Sequence, residues 1–430
     1  MSSSTIRVDR RDGFGTTSCV PLHAFFSPVV SGFARSRRRF VAFRPRNRLR
    51  VVVALLVIGV SLACARFRIE ELEPRPVFST TVVRAENPNP TGAVQLQESG
   101  RVPFNLPVQP AINTSHAYIA DPSRKMVRIF RAGNSDTPRA VLAGEGAAVT
   151  PELTRYNLKM GIPGWIAVDD DDENLYIQNF ARDAAPLNVP DQPIENRPSN
   201  QTSVLRQISS TILVLDVENE YRVKGNLGIN GFDTEPFPEI LRMTADENGL
   251  LHVLYRATNA APNSSQEQLI LTTYRDGTPV RRFDAFEGAA NADERRQYFI
   301  EWEDIVPGPG GDFAIFAVSL RQKSSYDLVS RRIFRQDAPD TAPMELLRLD
   351  DPADYFVSSR PDGGFFLLNA EEDGSRILFK TFSPEGEYLN NRLIVFPGLR
   401  AAWRETFLSL DGRIFSSRLY LGKFELYEWN

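Results

Sequence analysis

The chain has 430 residues, of which 42% are hydrophobic and 24% are charged, and its formal net charge is −4. This small net charge hides two opposite parts, because residues 1–50 carry eleven arginines against two aspartates, while the remainder carries 39 basic and 52 acidic residues. A body with this acidic excess and without a basic stripe is not expected to bind nucleic acid.

Residues 1–50 form a basic leader, followed by an apolar run at residues 51–65 that reads VVVALLVIGVSLACA. A positively charged flank, a short apolar core and small residues at its end are typical of a secretory signal. The fifteen residues of this run would span only about 22 Å as a helix, whereas the hydrocarbon core of a bilayer is about 30 Å thick. The run therefore predicts an export signal rather than a stable transmembrane helix.

The end of the signal, Ser61-Leu62-Ala63-Cys64, resembles a bacterial lipobox, in which the cysteine is lipid-modified and becomes the mature N-terminus. The usual pattern has leucine three places before the cysteine, where this chain has Ser61. A lipid anchor has a simple physical basis, since each buried CH₂ contributes about 0.8 kcal/mol of membrane attachment. Ordinary cleavage after Ala63-Cys64-Ala65, which would release a soluble secreted protein, is the alternative.

Two further features concern export and anchoring. Cys19, the only other cysteine, precedes the signal, so the mature body would have no disulfide and Cys64 no structural partner. Residues 36–41 (SRRRFV) resemble a twin-arginine export signal, which is an alternative route. We predict a lipid anchor at Cys64 in the bacterial cell envelope, periplasmic or surface-exposed, with residues 66–76 as a tether to a folded body at residues 77–430.

From about residue 110 the chain repeats one unit, which consists of an apolar strand, a tight turn rich in Asp and Gly, a second apolar strand, and a further strand or hairpin. The equivalent first strands begin near residues 112, 165, 240, 302, 355 and 403. Propeller blades commonly repeat every 40–50 residues or so, and longer copies contain insertions. The repeat therefore predicts an all-β fold, a six-bladed β-propeller, rather than a sandwich with an appended module.

The sixth copy has three clear strands, so its sheet needs a fourth from elsewhere. Residues 77–84 (VFSTTVVR) are rich in β-branched residues and are predicted to supply it, which would close the ring and leave no open edge.

The recurring D-x-x-G-x-L-Y-V turn, best seen at Asp170 to Ile177, Asp246 to Val253 and Asp362 to Leu368, resembles that of NHL-type and TolB-like six-bladed propellers. A lipobox, a short linker and a propeller opening with VQPAINTSHAYIADPSRKMVRIF together resemble predicted spirochaete lipoproteins of unknown function. This resemblance covers roughly residues 64–430. It implies an architecture but no activity, because a fold does not specify a function.

The long insertions, residues 180–207 and 256–268, both follow a second strand, so we expect them on the propeller face opposite the tight turns. Binding sites commonly lie in variable loops on a rigid scaffold. We predict a binding surface on this face, formed by Trp165, Asn179, Arg182, Arg256, Trp302, Arg321, Tyr355, Asn369, Trp403 and Arg418. Arginine and aromatic residues are common at binding hot spots. The alternative is that the tryptophans pack between blades and the arginines are solvated strand ends.

These patterns favour a non-catalytic scaffold that binds an envelope protein or a glycan. The alternative is a Ca-type, metal-dependent hydrolase of lactonase type with its site in the channel mouth, for which Glu301, Glu303 and Asp304 are the best acidic group. The run from Asp169 to Glu173 suggests Ca²⁺ but is expected to be a solvated turn.

Other catalytic signals are weak. His116 and His252 are expected to be packing positions, the chain has no Cys/His cluster for zinc, and it lacks the G-x-S-x-G hydrolase motif. No catalytic residue, metal or cofactor is therefore predicted.

Overall fold

The structure is a computed structural model that describes residues 69–81 and 110–430, except 114, 132–137, 148, 150–152, 170–172, 181–209, 259–266, 350–353, 371–374, 398–402, 409–411 and 421–422. The predicted leader, the export signal with Cys64, and Arg182 lie outside the described residues.

Six sheets follow one another along the described chain, and each contains one of the predicted repeats. Two strands precede the repeats, namely β1 (Ile69–Leu72) and β2 (Pro74–Thr81). Blade one contains β3 (Ala111–Ile112), β4 (His116–Asp121), β5 (Met126–Arg131), β6 (Ala140–Ala143) and β7 (Thr154–Asn157). Blade two contains β8 (Ile162–Val168), β9 (Asn174–Phe180), β10 (Ser210–Asp216), β11 (Arg222–Gly228) and β12 (Gly231–Phe232). Blade three contains β13 (Glu239–Ala245), β14 (Leu251–Thr258), β15 (Glu267–Arg275) and β16 (Thr278–Asp284).

The remaining three blades have the same strand order. Blade four contains β17 (Tyr298–Pro307), β18 (Ala314–Gln322), β19 (Leu328–Gln336) and β20 (Met344–Leu349). Blade five contains β21 (Asp354–Ser359), β22 (Phe365–Ala370), β23 (Arg376–Phe382) and β24 (Tyr388–Val395), with β1 added to β24. Blade six contains β25 (Trp403–Leu408), β26 (Ile414–Tyr420) and β27 (Lys423–Trp429), with β2 added to β27.

Helical structure is confined to short connections. The described helices are α1 (Ala292–Gln297) and the 3₁₀ turns Pro122–Arg124, Glu287–Ala289 and Pro309–Gly311. None of the helices in the described ranges has the length and apolar character needed to cross a membrane.

The blades are arranged in a ring, because an apolar cluster joins each described sheet to the next. Five clusters join blades one to six in chain order. The sixth joins blade six back to blade one, where Phe415 and Leu426 pack with Ala117, Ile119 and Phe130. The first strands of neighbouring blades contact each other, as β8 contacts β13 and β17 contacts β21. The first strands therefore lie towards the centre of the ring. The predicted six-bladed propeller is confirmed.

The ring is closed by the strand that the sequence predicted. Strand β2 pairs antiparallel with β27 and completes blade six, and its Val77 is buried in the cluster between blades six and one. Strand β1 pairs in parallel with β24. Glu73, between β1 and β2, exchanges backbone hydrogen bonds of 2.8 and 3.1 Å with Asn430. Residues 69–76 of the predicted tether thus lie in two blades, and the sheets begin before the predicted boundary at residue 77.

The tight turns are held by a buried side chain that accepts backbone amides. Asp169 is 1% exposed and accepts the amides of Glu173 and Asn174 at 2.8 and 3.0 Å. Of the run from Asp169 to Glu173, which was expected to be a solvated turn, Glu173 is exposed but Asp169 is not, because its carboxylate is needed to satisfy the turn's own donors. Asp246 accepts the amides of Asn248 and Leu250 in the same way.

Alanine substitution should separate two roles of glycine in blade three. Gly277 and Gly249 both adopt positive φ, +74° and +68°, but a Cβ on Gly277 would overlap the ring of Phe232 from blade two, whereas a Cβ on Gly249 would meet nothing within 4 Å. Gly249→Ala should lower the free energy of unfolding by about 1–2 kcal/mol for its left-handed backbone. Gly277→Ala should cost more than Gly249→Ala, because the partly exposed ring of Phe232 also has to move away from the new Cβ. Urea unfolding would measure both, and equal losses would contradict the assigned contact.

Candidate functional site

The predicted binding residues lie at one end of each blade, which we call the loop face, where first strands begin and second strands end. Arg256 pairs in register with Glu239 of the first strand, and Asn369 pairs with Asp354. The other matching pairs are Asn179 with Pro163, Arg321 with Phe299, and Arg418 with Trp403. The structure therefore places these residues at equivalent ends of their own blades. The side chain of Trp403 and all of Arg182 are outside the described part.

The three arginines of this set that the structure describes are partly buried and bound to carboxylates. Arg256 contacts Glu239 at 3.2 Å, and Arg321 contacts Glu301 at 2.8 Å. Arg418 donates to Glu425 at 2.7 Å and to the hydroxyl of Tyr427 at 2.7 Å. Each guanidinium is thus oriented by a charge-assisted hydrogen bond rather than free in solvent.

The two tryptophans with described side chains pack between blades. Trp302 meets Phe286 and Phe316 edge-on, with ring centroids 4.8 and 5.8 Å apart, in the cluster that joins blades three and four. Trp165 packs against the cluster that joins blades two and three. Tyr355, in contrast, is exposed at the start of β21.

The two asparagines act within their blades. Asn179 accepts the amide of Gly161 at 2.8 Å, and Asn369 donates to Asp354 at 2.6 Å. The Asn179 side chain therefore fixes local backbone, and the Asn369 side chain fixes a buried carboxylate. Neither side chain is fully solvated.

A β-bulge recurs on the first strand, and no sequence pattern predicted it. In five of the six described first strands, the register with the second strand shifts at Gly164/Trp165, Leu241, Glu303, Val357 or Arg404/Glu405. A bulge inserts an unpaired residue and redirects the side chains beside it. In blade four, the unpaired residue is Glu303, which lies between Trp302 and Asp304.

Each carboxylate of the predicted acidic group has an arginine partner. Glu301 binds Arg321, and Glu303 accepts Nε of Arg331 at 2.9 and 2.8 Å. Asp304 accepts two nitrogens of Arg242, each at 2.8 Å. A cation would have to displace these arginines to use the carboxylates. Within the described ranges, no three His, Cys, Asp or Glu side chains are placed together to hold a metal.

A polar network joins blades four and five near this group. Arg331 donates from Nη1 to the carbonyl oxygen of Asp354 at 2.5 Å. The Asp354 side chain is buried and is bound by Nζ of Lys380 at 2.5 Å and by Asn369. Sequence reasoning missed Arg331 and Lys380, because their partners lie more than twenty positions away in the chain.

An exposed group of aromatic and cationic side chains lies beside Glu301, and we call Phe299, Arg321, Lys323 and Tyr326 the blade-four patch. The rings of Phe299 and Tyr326 are 5.8 Å apart, and Tyr326 is 54% exposed. The guanidinium of Arg321 lies 5.2 Å from the centre of the Tyr326 ring, and Nζ of Lys323 lies 5.8 Å from that of Phe299.

Tyr326 has an unusual backbone for its residue type. Its φ is +64°, in the left-handed region that bulky residues seldom adopt. Its hydroxyl donates to Glu301, and its amide donates to the carbonyl oxygen of Gln322 at 2.7 Å. Strained residues of this kind persist where surrounding contacts fix them, and they concentrate at functional sites. The only signal of this site in the sequence is weak, an aromatic residue in a Ser-rich hairpin.

A Thr-His-Asp arrangement occurs on the tight-turn side of blade three. His252 contacts Oγ1 of Thr273 at 3.0 Å and Oδ2 of Asp246 at 3.2 Å. All three side chains are buried, and a Cβ on Gly311 of the next blade would lie 3.1 Å from the imidazole. A nucleophile needs access to substrate, so this arrangement is structural, and the packing role predicted for His252 is confirmed.

The geometry affects the protonation of Asp246. Burial alone would raise the pKa of Asp246, but the hydrogen bond and charge of His252 and the two backbone amides outweigh it, and the pKa is lowered. The ionised carboxylate is thus the form that the fold stabilises.

The fold and site define a β-propeller whose loop-face charges are largely paired. No protein-family model and no curated protein matches the chain. A Bacteroides uniformis protein described as a candidate 6-phosphogluconolactonase is 14% identical over 65% of this chain and 67% of its own, with a TM-score of 0.32. The polysaccharide lyase Uly1 is 7% identical over 84% and 97%, with a TM-score of 0.39. A hypothetical selenium-binding protein of Sulfolobus tokodaii is 9% identical over 73% and 69%, with a TM-score of 0.36.

Similarities at this level carry no argument about activity. The resemblance to NHL-type and TolB-like propellers and to spirochaete lipoproteins stays a prediction, because the chain matches no family model.

The Asp246–His252 pair should make stability depend on pH. Because the pKa of Asp246 is lower in the folded than in the unfolded state, its stabilisation is complete above the unfolded value and is lost as the pH falls through the folded one. Asp246→Asn should cost about 1–3 kcal/mol at neutral pH. The difference in free energy of unfolding between this variant and wild type should disappear as the pH falls below about 4.

Urea unfolding at a series of pH values from neutral to acidic would measure this difference in free energy of unfolding. The matched control is Asp362→Asn, since Asp362 accepts the Gly364 amide at the equivalent turn but pairs with Arg360 and is half exposed. A gap for Asp246→Asn that stayed constant in acid would contradict the assigned carboxylate role.

Proposed function

We propose that this chain is an exported protein of the bacterial cell envelope, anchored by a lipid on Cys64, whose propeller is a non-catalytic binding module for a protein or a glycan. The basic leader, the short apolar run and the lipobox-like end support the anchor. The blade-four patch on the loop face is the observation that carries the binding role.

The composition of the blade-four patch suits recognition. Aromatic and arginine side chains dominate binding hot spots, because they offer large contact areas together with directed hydrogen bonds. Phe299 and Tyr326 are exposed large apolar side chains in contact with each other. Exposed apolar groups that are contiguous mark interaction sites more often than scattered ones.

The patch is also held in place before any partner arrives. Nζ of Lys323 donates to the carbonyl oxygen of Arg295 at 2.8 Å. The backbone amide of Lys323 donates to the carbonyl oxygen of Gln297 at 3.2 Å. These contacts fasten the hairpin that carries Tyr326 to helix α1. A preorganised surface loses less conformational entropy on binding, which leaves more of the contact energy as affinity.

The chemistry around the patch favours binding over catalysis. Glu301, Glu303 and Asp304 are engaged by arginines. At the opposite, tight-turn side of blade three, the Thr-His-Asp arrangement is buried. The alternative, a metal-dependent hydrolase, would require at least two of these ion pairs to open. The aromatic and arginine composition of the patch suits a protein partner best. A glycan is the second class of partner, and the experiment below distinguishes the two.

Removal of the patch rings should strongly weaken partner capture. Phe299→Ala with Tyr326→Ala should reduce recovery of specific partners from envelope extracts by at least tenfold, since hot-spot truncations cost about 2 kcal/mol or more. Met344→Ala is the matched control, because Met344 is 55% exposed on the outer strand of the same blade, close to the 54% of Tyr326. Mass spectrometry and a glycan array would read out the two partner classes. Equal recovery by all variants would refute the patch as the binding site.

The anchor is tested separately. Wild type grown with a clickable fatty acid should be labelled, and Cys64→Ser should not be, because the acyl chain requires the thiol of Cys64. Equal labelling of both, or labelling of neither, would refute the anchor at Cys64.

A further inference from the structure

The described sheets begin very close in sequence to the proposed lipid site. Strand β1 starts at Ile69, five positions after Cys64, and it is paired with β24 at the outer edge of blade five. Five Cα–Cα steps reach at most about 18 Å in a fully extended chain. A lipid on Cys64 would therefore hold this edge of the propeller within that distance of the bilayer surface.

The same edge carries exposed apolar side chains. Ile69 is 52% exposed and pairs in register with Asn391, two positions from Leu389, which is 41% exposed. Tyr388 is also exposed, and its ring meets Phe382 edge-on at 5.8 Å, which fixes its direction. We call Ile69, Tyr388 and Leu389 the blade-five rim.

We propose that the blade-five rim rests in the headgroup layer of the membrane that holds the lipid anchor, an inference that depends on the proposed anchor at Cys64. The membrane is the expected contact of the rim, because the short chain before Ile69 keeps the rim within about 18 Å of the bilayer surface. Tyrosine and aliphatic side chains suit the boundary between water and lipid.

The charges nearby indicate which headgroups the rim accepts. Glu70, Glu71 and Glu73 are exposed along the same segment, and Glu70 pairs with Arg392 at 3.5 Å. This acidic excess would be repelled by an anionic surface. The contact therefore depends on apolar side chains, and zwitterionic headgroups are the expected neighbours.

A reporter cysteine would test this contact in the lipidated full-length protein. Mature protein would contain no other free thiol, because Cys19 is removed with the signal and the sulfur of Cys64 carries the lipid. A fluorophore on Leu389→Cys is compared with one on Val223→Cys, which is 42% exposed on β11 of blade two, three blades away around the ring. Both are placed in phosphatidylcholine vesicles that contain lipids with a nitroxide headgroup.

We expect the nitroxide to remove most of the fluorescence at position 389 and none at position 223. If fatty-acid labelling of Cys64 is intact but the two positions are quenched equally, the rim contact is refuted while the anchor stands. If Cys64 is not labelled, the anchor is refuted, and the rim proposal with it.

A second measurement guards against disturbance by the fluorophore. Ile69→Ser with Leu389→Ser should leave the vesicles faster than Val223→Ser, although each variant unfolds at the same urea concentration as wild type. Identical release rates would overturn the proposal.

Discussion

Every blade of this propeller has two apolar faces, and neither face can be shielded from water unless a neighbouring blade covers it. This requirement gives the fold its ring, since a row of six sheets would leave one face bare at each end. The cluster of Phe130, Phe415 and Leu426 between blades six and one is therefore as necessary as the five clusters between consecutive blades. Full burial of such a side chain is worth about 1.5–3 kcal/mol, so an unclosed ring would lose several of these contributions.

The polar chemistry is concentrated where this apolar packing ends. At the loop face, the first strands carry bulges and the interface between blades four and five changes from apolar contacts to the network of Arg331, Asp354 and Lys380. Buried charges are tolerated there because each has a partner of opposite sign. The same pairing fixes Glu301, which in turn orients Arg321 and Tyr326.

Much of the architecture could be predicted because it is encoded locally. Asp and Gly turns between apolar runs marked each first and second strand, and β-branched residues after Val77 marked the closing strand. Strand β1 was missed because its sequence, IEEL, is half acidic and becomes a strand only by pairing with β24. The ion pairs and the left-handed Tyr326 were missed for a related reason, since they depend on residues brought together by tertiary structure.

The hydrogen bonds between Glu73 and Asn430 also bear on the order of folding. Strand β2 has no place to bind until β27 has been synthesised, because its partner lies near the opposite end of the described chain. Contacts so distant in sequence form late and slowly. The ring would therefore stay open until the last described strand had been made, and blades five and six would be the last to gain protection from proteases.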